Sequence, residues 1–137
     1  MEKRGRPSSF IDLGLKKLAP GIVAFLVVFI LVCLPGDNLP HTQSWMELTF
    51  FDKWVHTIMF GLMTFFFLLP VAESSMFAQQ KRHYFVRICL AGIIWGVTTE
   101  FIQLFFIPSR DFDLLDWGAD SAGVLLAFFY CRHFHRR

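Results

Sequence analysis

The stretch Gly96-Val97-Thr98-Thr99-Glu100-Phe101-Ile102-Gln103 sets a carboxylate and an amide inside an apolar run that extends from Val86 to Ile107. An ionisable side chain at the centre of a lipid-solvated helix costs about 2.5–3.5 kcal/mol on insertion scales, so it ordinarily faces a partner or a wet cavity. More charge follows at once, in Arg110, Asp113, Asp116 and Asp120. Three further apolar runs, Leu18–Leu34, Trp54–Val71 and Leu114–Cys131, are long enough or nearly so to cross about 30 Å of hydrocarbon as helices. The chain has 137 residues, 55% of them hydrophobic and 18 of them Phe, with a mean hydropathy of +0.50. A soluble domain of this length needs a more polar surface, and spans this apolar all round leave no face for water. The expected fold is therefore all-α: a polytopic membrane protein with four transmembrane helices in a bundle. Residues 1–17 form a basic interfacial segment, 18–131 the membrane domain and 132–137 a basic tail.

The distribution of charge orients these spans. Lys3, Arg4, Arg6, Lys16 and Lys17 precede the first span, Lys81, Arg82 and Arg87 lie in or near the second loop, and Arg132, Arg136 and Arg137 follow the last. The first loop has only Lys53, beside Asp37, Glu47 and Asp52, and the third has only Arg110. Lys and Arg stay on the cytoplasmic side, which puts both termini and the second loop there and the first and third loops outside. These basic segments are short and flank spans, so they serve topology and contact with anionic lipid, and no nucleic-acid partner is expected. Cys33, Cys89 and Cys131 stand singly in apolar surroundings, which supports neither a disulfide framework nor a thiolate metal site.

Local signals divide the chain further. Ser8 or Ser9 is placed to start a short amphipathic helix through Lys17, suited to the inner interface. Pro35-Gly36 ends the first span and Pro108 the third. Residues 45–51 form a second candidate interfacial helix. Asp52 is placed to cap the second span and Asp113 the fourth, while Pro70 marks the inner end of the second.

Helical spacing brings the polar residues into register. Asp52 and His56 are i, i+4 on the second helix, and Glu100 and Gln103 are i, i+3 on the third. Asp113, Asp116 and Asp120 follow at spacings of three and four on the fourth. Gly96 and Gly92 continue the polar face of the third helix inward, as Gly123 and Ala127 do on the fourth, and such small-residue strips let membrane helices approach closely. Tight packing of the third helix on the fourth is expected. At 1.5 Å per residue Glu100, Asp120 and His56 lie about 10, 9 and 6 Å below the outer ends of their helices, one shared layer. The expectation is a wet polar pocket open to the outside, formed by Asp52, Lys53, His56, Glu100, Gln103, Arg110, Asp113, Asp116 and Asp120. Asp52 and Asp113 equally suit helix caps, Lys53 an interfacial lysine, and Glu100 with Asp120 a structural hydrogen-bond network.

Asp52-Lys53-x-x-His56-x-x-x-Phe60, Glu100-x-x-Gln103 before Pro108-x-Arg110, and Asp113-x-x-Asp116-x-x-x-Asp120-x-x-Gly123 together closely resemble the VanZ-like family of small bacterial membrane proteins. The resemblance covers three of the four helices, about Asp52 to Gly123. The family commonly has Asn at the position of Asp120, and often Gly at that of Ala127. The resemblance implies a bacterial plasma-membrane protein and, for founding members, resistance to the glycopeptide teicoplanin; it implies no known reaction. Three functions are compatible with the residues. A binding protein would hold a lipid-linked cell-wall precursor or a lipoglycopeptide, with Arg110 and Lys53 taking phosphate or carboxylate. An interfacial enzyme would use His56 and Glu100 as acid and base, with Asp116 and Asp120 as metal ligands or charge stabilisers. Transport ranks last, because no ionisable residue continues inward past the glycine strips of the third and fourth helices. Membrane lipids are the expected surroundings, and no cofactor is specified.

Overall fold

The computed structural model describes residues 13–34, 51–108 and 110–134. Among them the regular structure is four helices: α1 (Leu15–Val32), α2 (Phe51–Ala72), α3 (Ala78–Phe106) and α4 (Leu114–Phe134). All four are long and apolar enough to cross a membrane. The segment around Ser8 and Ser9, and residues 45–50 of the second interfacial helix expected from the sequence, lie outside the described residues.

The ends of these helices follow from local chemistry. Gly14 adopts φ +79, a conformation at which a Cβ would be strained, and α1 begins directly after it. Leu15–Lys17 thus open the first span itself, where the sequence suggests the end of a separate interfacial helix. Asp52 lies within the first turn of α2, one residue in from its start, so it is not the cap that the sequence suggests. Its charge still favours that end, where backbone N–H groups point outward. Pro70 lies inside the last turn of α2, where its missing N–H leaves the carbonyl four residues earlier without its helical donor while the helix runs on to Ala72.

No Pro or Gly interrupts Ala78–Leu90, so α3 starts eight residues before the apolar run and reaches about 43 Å, longer than the hydrocarbon layer. The short link between α2 and α3 is closed by its own polar groups. Ser74 Oγ donates to the Val71 carbonyl (2.6 Å), and the Phe77 N–H donates to Gln80 Oε1 (3.1 Å). Lys81 Nζ donates to the carbonyl of Ala72 (2.7 Å), meeting the negative end of α2.

α2 touches each of the other helices, and its longest seam is with α4. The expected close packing of α3 on α4 is present as well, on a shorter seam. Gly92 and Gly96 do face α4: a Cβ at Gly92 would meet Val124, and one at Gly96 would meet Asp120 and Trp117. Gly123 instead points at α2, where an added Cβ would collide with the carbonyl oxygen of Thr57 and stand 2.9 Å from Gly61 N. α1 packs mainly on α2 and meets α3 through Phe25 and Phe29 against Trp95, with ring centroids 4.8 and 6.1 Å apart.

The distribution of polarity is the reverse of a water-soluble protein. Ile22, Leu26, Ile30, Ile58, Leu62, Leu90, Ile94, Leu126 and Phe129 are exposed, while His56, Thr64, Thr99, Glu100, Gln103, Asp116 and Asp120 are buried. Large apolar side chains turned outward from four span-length helices suit hydrocarbon as the solvent. The protein has the character of a multi-pass membrane protein.

Candidate functional site

Three helices deliver charge to one end of the molecule. α2 supplies Asp52, Lys53 and His56 from its first two turns, α3 supplies Glu100 from near its last, and α4 begins with Asp113, Asp116 and Asp120. Asp113 acts as the N-cap of α4: its carboxylate accepts the Leu115 N–H (2.8 Å) and its carbonyl accepts the N–H groups of Asp116 and Trp117. Glu100 Oε2 accepts the Asp113 N–H (2.9 Å), so the end of α3 is tied to the start of α4 through a carboxylate on a helix N-terminus.

Two layers form within this cluster. In the outer one, Lys53 Nζ lies 2.9 Å from Asp52, 2.5 Å from Asp113 and 2.6 Å from Asp116. A lysine that the sequence offers as either an interfacial anchor or a free cation is therefore fully engaged by three carboxylates. Asp113, which lies outside the spans, is held below its ordinary pKa of 3.8 chiefly by its bond to Lys53, with partial burial opposing and the Leu115 N–H assisting. In the inner layer, His56 Nδ1 is 2.9 Å from Asp120 Oδ1, and its Nε2 is 4.0 Å from Asp116. Glu100 and Asp120 are both 0% exposed. Glu100 Oε1 and Asp120 Oδ2 are enclosed and have no hydrogen-bond partner.

Donor atoms fall into two groups whose members lie within 4.8 Å of one another: His56, Glu100 and Asp120, and separately Asp52, Asp113 and Asp116. Asp116 and Asp120, paired by spacing as metal candidates, thus belong to different groups. Two site residues expected from the sequence stand apart from this network. Gln103 is buried but turns to α1, donating to the Val32 carbonyl (3.4 Å). Arg110 makes no ion pair with a described residue, and its Nε is enclosed and unpartnered. The described residues also form a concavity of about 740 Å³, but it lies at the other end, lined by Ala78, Gln79, Arg82, His83, Val86 and Arg87. At the acidic end His56, Glu100, Asp116 and Asp120 are buried, while above them Asp52 is exposed and Asp113 partly so.

Several residues of this region do not stand out in the sequence. Thr57 Oγ1 lies within hydrogen-bond distance of the Lys53 carbonyl (2.9 Å) on its own helix and of the Ala119 carbonyl (3.1 Å) on α4. Trp117 Nε1 donates to the Ile93 carbonyl (3.2 Å), linking α4 to α3 beneath the charged layer. Thr57 and Gly61 follow a small-x-x-x-small spacing that marks close helix contact as well as the glycine pair on α3 does. No family model, no curated protein and no solved structure matches the chain.

Proposed function

We propose that the chain is a VanZ-like protein of the bacterial plasma membrane. Its four helices form a bundle with both termini in the cytoplasm, and its acidic end faces outward to receive the polar head of a lipid-linked or lipophilic envelope molecule. The observation that carries this reading is the buried charged network assembled by α2, α3 and α4 at one end of an otherwise apolar molecule. Sidedness rests on the separation of charge. Lys81, Arg82, Arg87 and Arg132 belong to the start of α3 and the end of α4, which meet through Phe85 and Phe128, with centroids 6.2 Å apart. That end suits the cytoplasm and leaves the acidic end outside.

The geometry alters the expected division of labour. Lys53 is neutralised within the protein, so among the described residues of the acidic end Arg110 is the cation left for a phosphate or carboxylate. The acidic residues would meet hydroxyl or amine groups of sugar or peptide. The test is to extract the protein in a mild detergent, identify co-purifying lipids by mass spectrometry, and repeat with Arg110→Ala and Glu100→Gln. An envelope lipid enriched with the wild type and lost with Arg110→Ala is expected; equal recovery from both would exclude this mode of binding. In cells, expression is expected to lower susceptibility to teicoplanin.

One observation favours a second reading, an enzyme of the membrane interface. His56 is oriented by Asp120, while Glu100 Oε1 lies unpaired in the same layer, an arrangement suited to general acid–base chemistry. Transport gains no support: among the described residues, the buried positions inward of the charged layer hold no charged side chain, and Thr64 is the polar one on that stretch of α2.

A further inference from the structure

We infer that His56, Glu100 and Asp120 form a binding site for one divalent transition-metal ion, of the Zn²⁺ or Mn²⁺ class. The two trios of donors invite comparison. In the outer trio, three carboxylates surround the ammonium of Lys53 at 2.5–2.9 Å, so each already has a cationic partner within the protein. In the inner trio, no lysine or arginine among the described residues pairs with Glu100 or Asp120. Both are fully buried, and each directs one oxygen that has no hydrogen-bond partner into protein surroundings. An uncompensated buried carboxylate is strongly unfavourable, and two side by side more so.

Donor chemistry selects the ion. One imidazole nitrogen and two carboxylate oxygens, three donors from three different helices, make a mixed set that suits Zn²⁺ or Mn²⁺ better than Ca²⁺, which takes six to eight oxygens. The donor atoms lie within 4.8 Å of one another. Tetrahedral Zn²⁺ with ligand bonds near 2.1 Å sets its donors about 3.4 Å apart, so side-chain movements of about 1 Å bring the set together. Glu100 Oε1 and Asp120 Oδ2 carry no hydrogen bond, and an ion bound through His56 Nδ1 would replace that nitrogen's bond to Asp120 Oδ1. Two negative carboxylates and one divalent cation then balance. The inference is independent of the headgroup reading, since an ion in this layer serves a binding protein and an enzyme equally.

The test uses the full chain in detergent, purified without a histidine tag, stripped with chelator and reloaded separately with Zn²⁺ and Mn²⁺. Metal content after desalting is expected at about one ion per chain. Asp120→Asn and Glu100→Gln should each weaken retention at least tenfold, whereas Asp52→Asn, in the outer trio, should retain the ion. Nitrogen-14 coupling to bound Mn²⁺ in electron spin-echo spectra should report a directly bonded imidazole, a readout on the wild type that requires no variant. Substoichiometric retention of both ions, absence of that coupling at full Mn²⁺ loading, or retention lost in Asp52→Asn but kept in Asp120→Asn would each overturn the assignment.

Discussion

Replacing Gly123 by Ala adds one methyl group at the place where α2 and α4 approach most closely. The new Cβ would strike the Thr57 carbonyl oxygen and stand 2.9 Å from Gly61 N and 3.0 Å from Thr57 C, where ordinary contact begins near 3.4 Å. All three atoms are backbone, so no rotamer change relieves the clash and the helices must part by about 1 Å. Overpacking of this kind costs about 1–3 kcal/mol. Thr57 Oγ1, 3.1 Å from the Ala119 carbonyl across the same seam, is also 2.9 Å from the Lys53 carbonyl on its own helix, so its single proton keeps an acceptor when the helices part. Against the clash, Ala gains about 1 kcal/mol over Gly in helix propensity. Three backbone contacts put the clash at the upper end of the overpacking range, about 3 kcal/mol, so Gly123→Ala should lose about 2 kcal/mol net. Gly118 provides the control, since a methyl group added there meets nothing within 4 Å: Gly118→Ala keeps only the propensity gain. Reversible unfolding in mixed micelles of a mild detergent and dodecyl sulfate measures both. A Gly123→Ala protein as stable as the wild type would refute the close α2–α4 seam.

Lys53→Met leaves three carboxylates without their shared cation. The side chains of Lys53 and Asp116 are 17% and 10% exposed, but those of Asp113 and Asp52 are 41% and 60%. Solvent screens two of the three carboxylates, so the loss should fall below the roughly 3–5 kcal/mol of a broken, fully buried pair. Adding Asp116→Asn should restore part of it, and a strictly additive double variant would disprove the coupling. Asp113→Asn tests pH linkage. With its folded pKa held below 3.8, the carboxylate stabilises the fold fully above that value, and the benefit disappears as pH falls through the lowered one. The gap between wild-type and Asp113→Asn melting temperatures should therefore be constant at neutral pH and close in acid; a gap that widens in acid contradicts the sign. Trp95→Phe removes an enclosed Nε1–H that has no partner while keeping a ring against Phe25, so stability should be unchanged or higher. A loss above about 1 kcal/mol in the same unfolding assay would mean that the indole N–H is satisfied after all.

What is legible in the sequence is whatever depends on one helix at a time. Apolar run length gives the four spans, and i, i+3 and i, i+4 spacing puts Asp116 with Asp120 and Asp52 with His56 on shared faces. Relations between helices are less visible. Gly123 lies on the α4 stripe that carries Asp120, but which neighbour it meets depends on how α4 is rotated against α2 and α3. The spacing of Thr57 and Gly61 is a signal for that seam, overshadowed by the louder glycine pair Gly92 and Gly96. Lys53 shows the same limit. Its long stem allows it either to reach for the interface or to turn toward α4, and only the nearness of Asp113 and Asp116 decides. Helix ends are displaced for a related reason: Ala78–Phe85 contains no breaker, so hydrogen bonding carries α3 beyond the apolar run that hydropathy detects.

The engagement of Lys53 also constrains what the acidic end is able to attract. Asp52, Glu100, Asp113, Asp116 and Asp120 bring five carboxylates, and Lys53 offsets three neighbours at once without leaving a cationic surface for an incoming anion. A phosphate approaching this layer alone would meet net negative potential, and like-charge contacts disfavour association. A ligand with a phosphate must then reach Arg110, in the α3–α4 connection, while presenting hydroxyl or ammonium groups to the carboxylates. A divalent ion held by His56, Glu100 and Asp120 would change that balance by two charges and make the same layer tolerant of an anion. Metal loading and anionic-ligand affinity should therefore rise together in the wild type. In Asp120→Asn, where the ion is lost but one carboxylate charge is also removed, the dependence of affinity on added metal should vanish.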